Sequence, residues 1–259
     1  NSAQCFLTIT IVDSEGPHID GTNGSTGCPA SFSVNSDAGQ CGALVTYTDP
    51  VATDSCPGVS TSRTAGLASG SVFGVGATTQ TFTATDSAGN TASCSFTITV
   101  LDADPPTIDG SNGSSPCPST ITANAATNTC QAAVSYATPV GTDQCPGEST
   151  AQTAGLASGS LFNVGTTVNT FVVTDASSNT ASCSFNVVVV DAQPPSIDGS
   201  QGSTPCPAPI TVNNDAGLCS AVVTYTAPVG TDSCAGASTA LTAGLGSGAA
   251  FPAPGPTTE

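Results

Sequence analysis

The clearest signal along the chain is alternation. Cys94, Phe96, Ile98 and Val100 alternate with Ser95, Thr97 and Thr99, and Ala43, Val45 and Tyr47 repeat the spacing in an earlier stretch. A period of two predicts a half-buried strand, with one face on a core and the other in water. No stretch carries a persuasive 3.6-residue apolar period, and none approaches the roughly 20 apolar residues of a membrane span. Turn-forming runs such as Asp86-Ser87-Ala88-Gly89-Asn90 and Gly74 to Gly76 punctuate the strands. Short strands separated in this way predict an all-β sandwich.

The pattern recurs every 89 residues, most plainly at the cysteines. Cys28, Cys117 and Cys206 form one series, Cys41, Cys130 and Cys219 a second, Cys56, Cys145 and Cys234 a third, and Cys5, Cys94 and Cys183 a fourth. The neighbouring residues repeat as well. Val45-Thr46-Tyr47 returns as Val134-Ser135-Tyr136 and Val223-Thr224-Tyr225, and Thr53-Asp54-Ser55-Cys56 as Thr142-Asp143-Gln144-Cys145 and Thr231-Asp232-Ser233-Cys234. A fixed period of this length marks a tandem array. The frame places the final strand of an otherwise absent repeat at 1–15, whole repeats at 16–104 and 105–193, and an incomplete repeat at 194–259 that lacks its last two strands.

Read in order, Cys-Pro, Cys-x-Ala-x-Val-Thr-Tyr, Thr-Asp-x-Cys-x-Gly and Ala-Thr-Asp-x-x-Gly-Asn-x-Ala-x-Cys-x-Phe resemble the HYR (hyalin repeat) domain family over essentially the whole chain. The resemblance implies an immunoglobulin-like or fibronectin-III-like sandwich, used in tandem in cell-surface and extracellular proteins, often for adhesion. It brings no catalytic residues. The departures are small: Ala235 follows Cys234 where the other repeats have Pro, and Gly74 and Asn163 stand where Pro is common.

Composition narrows the function. Eighteen acids face a single base, Arg63, a formal charge of −17. Nucleic acids and anionic membranes need clustered Lys and Arg, so neither is an expected partner. Twelve cysteines with no C-x-x-C spacing and one His make a poor zinc protein. An even number in this setting reads instead as a disulfide framework formed in an oxidising, extracellular compartment. Four cysteines per repeat allow three pairings. The parity of Cys41 with Ala43 and Val45, and of Cys94 with Phe96, favours Cys41–Cys94 with Cys28–Cys56. One repeat on, these become Cys130–Cys183 with Cys117–Cys145, and then Cys206–Cys234. That scheme leaves Cys5 and Cys219 over.

Candidate chemistry is sparse. His18 is the sole His and is replaced by Thr107 and Ser196 in the other repeats; no Ser-His-Asp set or phosphate loop accompanies it, so no enzyme is expected and no cofactor. Calcium is the sharper possibility, because Asp102, Asp104 and Asp109 gather at an inter-repeat joint and Ca²⁺ takes six to eight oxygens. Gln193 breaks that pattern at the next joint, and the plain alternative is that these acids solvate a proline-stiffened linker. Asn23-Gly24-Ser25 and Asn112-Gly113-Ser114 are N-glycosylation sequons at equivalent positions, or simply turns.

Cys5, Leu7, Ile9 and Ile11 align with Cys94, Phe96, Ile98 and Val100, the final strand of a repeat. Head-to-tail assembly would let residues 1–13 of one copy complete the third repeat of the next by strand addition, with Cys5 bonded to Cys219. An excerpt from a longer array explains the same frame. The expected function is a structural subunit of an extracellular fibre whose partners are copies of itself. The alternative is a segment of an adhesin that binds a glycan or a cell-surface receptor.

Overall fold

The computed structural model describes residues 3–253, and its strands follow the 89-residue frame. Residues 1–2 and 254–259, which fall within the first and last segments of that frame, lie outside the described residues. The fold is all-β. Two compact units emerge: one holds the residues up to Ser115 with Val140–Thr150 and Val172–Ala181, the other Pro116–Pro139, Ala151–Phe171 and the residues from Ser182 on.

In the first repeat, β1 (Phe32–Asn35), β3 (Ser60–Ala65), β5 (Gly76–Thr85) and β6 (Thr91–Leu101) form one sheet in the order β1-β6-β5-β3. β2 (Gly42–Val45) and β4 (Ser71–Gly74) pair antiparallel as a second sheet. The predicted alternation holds in β6, where Phe96, Ile98 and Val100 are buried, and in β2, where Ala43 and Val45 are buried and Leu44 is exposed. β5 adds Gln80, Phe82 and Ala84 from its own buried face. Phe73 of β4 and Ile19 close the core. Tyr47 packs edge-on to Phe82 and Phe96, and its hydroxyl donates to the Leu67 carbonyl at 2.5 Å, which ties the loop after β3 down onto the core.

One glycine in each of the first two repeats is fixed by this packing. Gly66 has φ +91°, and a Cβ there would meet the Gln80 amide at 2.2 Å; Gly155, at φ +88°, meets Asn169 in the same way.

The second repeat copies the first. Its strands are β7 (Ile121–Asn124), β8 (Gln131–Ala133), β9 (Ser149–Ala154), β10 (Leu161–Asn163), β11 (Gly165–Thr174) and β12 (Thr180–Val190), with sheet orders β7-β12-β11-β9 and β10-β8. Among the described residues, the third repeat shows only the smaller sheet, β13 (Ser220–Val222) against β14 (Ala250–Pro252). Its Ile210 and Val212 stand where Ile121 and Ala123 of β7 lie against β12, but here they remain about half exposed. With Val223, Tyr225, Leu241 and Phe251 they line an apolar cleft of about 970 Å³. At the other end, residues 3–15 form no strand, and Phe6, Leu7, Ile9, Ile11 and Val12 are all at least 75% exposed.

The disulfides correct the parity-based scheme. Cys28 is bonded to Cys94 and Cys117 to Cys183, not to Cys56 and Cys145. The reason is a parallel pairing that alternation alone does not reveal. β1 runs alongside β6 with Phe32 opposite Ile98, an offset of 66 residues, and Cys28 and Cys94 are separated by the same 66. Cys94 does face the core, as its parity implied. Cys41 does not, because β2 begins only at Gly42 and the preceding turn breaks the phase.

Candidate functional site

The chemistry-bearing residues converge at the joints between repeats. Cys41 is bonded to Cys145, and Cys130 to Cys234, each across 104 residues and into the following repeat. Cys41–Cys94 and Cys130–Cys183 are therefore not formed, nor is Cys206–Cys234. Cys5, Cys56, Cys206 and Cys219 are free and exposed.

Beside each third-series cysteine stand two acids. Asp102 and Asp143 lie with Cys145, Asp191 and Asp232 with Cys234, and Asp13 and Asp54 with Cys56, each set having its ligand atoms within 4.8 Å of one another. The Thr-Asp-x-Cys motif builds half of this arrangement, since the Asp carboxylate accepts the N–H of the cysteine two residues on, at 2.7 Å for Asp54 and 2.8 Å for Asp143 and Asp232. Such Asx turns are the intrinsic habit of Asp in loops. Burial pushes the Asp143 carboxyl up, with help from the charges of Asp102 and Asp175 and against the Cys145 hydrogen bond. Asp102 is buried, and its Oδ2 has no hydrogen-bond partner.

The acids read from the sequence as calcium ligands have separate places. Only Asp102 belongs to the cluster. Asp104 accepts the Gly39 N–H at 2.8 Å, and Gln193 takes the equivalent bond from Asn128 at 3.1 Å. Asp109 caps its own turn, accepting the Ser111 N–H at 2.9 Å and hydroxyl at 2.6 Å, and the hydroxyl bond is the main reason its carboxyl is held below the usual range. Asp143 replaces Asp104 and Asp109 as the neighbour of Asp102. Its signal was present in the repeated Thr-Asp-x-Cys text.

The joint has one more part. Asn179 Nδ2 donates to the Asp102 carbonyl at 3.2 Å, the Asp104 carbonyl at 3.4 Å and the Asp175 carboxylate at 2.8 Å. Asn90 does the same for Asp13, Glu15 and Asp86. The Asp-x-x-x-Asn turn, read above only as punctuation between strands, is a clamp on the linker that enters each of the first two repeats.

His18 holds a backbone bridge to Thr53, the position Thr107 and Ser196 occupy opposite Thr142 and Thr231. Its ring lies 3.8 Å from the carboxylates of Glu15 and Asp20. Asn23 and Asn112 are exposed, at φ 52° and 50°, each followed by a glycine of positive φ. Positive φ at both central residues is the requirement of a type I′ turn, which Asn-Gly favours. The sequon hydroxyls are occupied: Ser25 and Ser114 are buried and donate to Thr22 and Ser111 at 2.7 Å.

The class is thus a tandem array of disulfide-clamped β-sandwich repeats with acidic, cross-bridged joints. The HYR domain family matches at residues 19–100 and 101–189, and the chain belongs to that family. It is 32% identical over 238 residues to "Hyalin" of Strongylocentrotus purpuratus, covering 90% of this chain and 18% of that protein. It is 31% identical to "Hyalin" of Lytechinus variegatus, over 90% and 41%. "Sushi, von Willebrand factor type A, EGF and pentraxin domain-containing protein 1" of Rattus norvegicus is 32% identical over 80% of this chain and 5% of its own length. The chain therefore spans less than half of each of these relatives. Among solved structures, human mucin-like protocadherin EC1-2 matches over 63% of this chain and 96% of its own, with a TM-score of 0.30 and 11% identity. Among the described residues, no helix is long and apolar enough to cross a membrane.

Proposed function

We propose that the chain is a structural segment of an extracellular fibre or coat, an array whose repeats are tied to their neighbours covalently. The observation that carries this reading is the pair of inter-repeat bridges, Cys41–Cys145 and Cys130–Cys234. A module that binds a ligand through its own loops needs its core clamped, which Cys28–Cys94 and Cys117–Cys183 already do. Bonds across the joints add a load path along the chain. They require an oxidising compartment, in keeping with an extracellular site. The hyalin relatives support the same reading.

Extension would proceed head to tail. The exposed Leu7, Ile9 and Ile11 have the spacing of a buried strand face, and the open cleft at Ile210 and Val212 occupies the side where β6 and β12 lie in the whole repeats. Adding a strand there satisfies both the bare backbone and the apolar wall. Electron microscopy of the oxidised protein tests the reading. Filaments or networks that disperse with reductant are expected, and single particles under all oxidising conditions would reject it.

A further inference from the structure

We infer that the carboxylates of Asp102 and Asp143 form a divalent-cation site, suited to calcium, beside the Cys41–Cys145 bridge. This set differs from the Asp102, Asp104 and Asp109 that the sequence suggested, and it stands or falls independently of the fibre reading.

Three segments build the site, all inside one compact unit. Asp102 opens the linker after β6, Asp143 stands in the loop between β8 and β9, and Asp175 directly follows β11. The ligand atoms of Asp102, Asp143 and Cys145 lie within 4.8 Å of one another. Calcium–oxygen bonds are about 2.3–2.6 Å long, so two carboxylate oxygens at that separation reach a single ion. Cys145 contributes no thiolate, because its sulfur is bonded to Cys41. The protein donors are therefore oxygens, which select a hard cation over zinc.

An unmet need for positive charge points to the ion. Asp102 is only 9% exposed. Its Oδ1 accepts the Asp104 N–H at 3.2 Å, while its Oδ2 is buried with no partner. Asp143 gives one oxygen to the Cys145 N–H at 2.8 Å, which leaves the other for a cation. A buried carboxylate oxygen with neither donor nor counter-ion is costly. The charges of Asp102, Asp175 and Glu148 also bear on Asp143. The chain's single Lys or Arg does not offset them, since Arg63 donates to the Gly66 carbonyl at 2.6 Å in the first repeat. One divalent ion meets both needs. Asp143 is only partly buried, so water reaches the open side and completes the six to eight oxygens. One repeat earlier, Asp13 and Asp54 stand in the same frame, and each keeps a buried Oδ2 without a partner.

The test is a calcium titration of the oxidised, isotope-labelled full chain at pH 7, followed by amide NMR. Saturable shifts are expected at residues 102–104 and 143–145. Their midpoint should fall on the order of 10⁻⁴–10⁻³ M, the range of extracellular calcium modules. Asp102→Asn and Asp143→Asn should each abolish these shifts. Both variants keep an oxygen for the backbone donor, so a dispersed spectrum and an intact Cys41–Cys145 bridge verify that they fold. Asp104→Asn and Asp109→Asn should leave the midpoint unchanged, because Gly39 and Ser111 already engage those carboxylates. Shifts that survive both Asp102→Asn and Asp143→Asn, or that vanish in Asp104→Asn or Asp109→Asn, would overturn the proposal. So would a linear drift without saturation. No shift at all would overturn it too, and would mean that a proton rather than a metal relieves the pair.

Discussion

Gly39 donates its backbone N–H to the Asp104 carboxylate at 2.8 Å, linking the turn before β2 to the linker that follows β6. One repeat on, Asn128 donates to the Gln193 side-chain oxygen, and the Gln193 amide also reaches the Ala126 carbonyl at 3.0 Å. An acid and an amide do the same work, so the feature required is an acceptor. Asp104→Asn is expected to leave thermal stability within about 0.5 kcal/mol of the parent, whereas Asp104→Ala should lose roughly 1 kcal/mol by orphaning the N–H. A cation ligand would behave differently, since replacing a carboxylate by an amide would weaken metal binding as well. Calorimetry of both variants, with and without calcium, separates the two roles.

Asn179 bonds three acceptors from two segments through one amide. Asn179→Ala is expected to cost about 1–3 kcal/mol in urea unfolding followed by far-UV circular dichroism. It should also speed hydrogen exchange around 102–104 more than in the strands. A loss confined to the Asp175 turn, with exchange at the linker unchanged, would show that the clamp is not the source.

Much of this architecture was open to reading from the residues. The alternation of Phe96, Ile98 and Val100 located β6 and its inner face, and the 89-residue period recurs in the strands, with β7 (Ile121–Asn124) 89 residues after β1 (Phe32–Asn35). The disulfides were not legible in the same way. Parity reports which way a side chain points within a strand and says nothing of which strand lies beside it, so the parallel register of β1 with β6 was invisible. Cys41 lies in a turn where parity has no meaning, and its partner belongs to another repeat. The acids at the joint were visible as a group, yet Asp104 and Asp109 spend their carboxylates on backbone and turn donors, and Asp143 arrives from 41 residues beyond Asp102.

The bridge between Cys28 and Cys94 closes a long loop over a core with few aromatic residues. Replacing both by Ser is expected to cost about 2–4 kcal/mol in the first repeat. The same change at Cys117 and Cys183 should act on the second repeat to a similar extent. Chemical denaturation of each double variant measures it, and an unchanged midpoint would mean that the strand pairing alone holds β1 to β6.

Asp143 carries the pH dependence of the joint. Burial and the charges of Asp102 and Asp175 raise its folded pKa above its unfolded value, so the folded state holds the proton more tightly. The charged form therefore costs stability. That cost is absent below the unfolded pKa of about 4, grows as pH rises from there to the raised folded value, and is complete above it. Asp143→Asn keeps an oxygen for the Cys145 N–H and removes the charge. It is expected to raise the melting temperature at pH 7 in EDTA, with the gain shrinking as the pH falls through the raised folded pKa and gone below about 4. Calcium supplies the contrast, because a cation seated between Asp102 and Asp143 would be lost in this variant. Destabilisation by Asp143→Asn in calcium, paired with stabilisation in EDTA, would assign a cation to the cluster. Stabilisation of equal size in both buffers would leave the two acids as an uncompensated pair of like charges, and a lower melting temperature in EDTA would refute the electrostatic account.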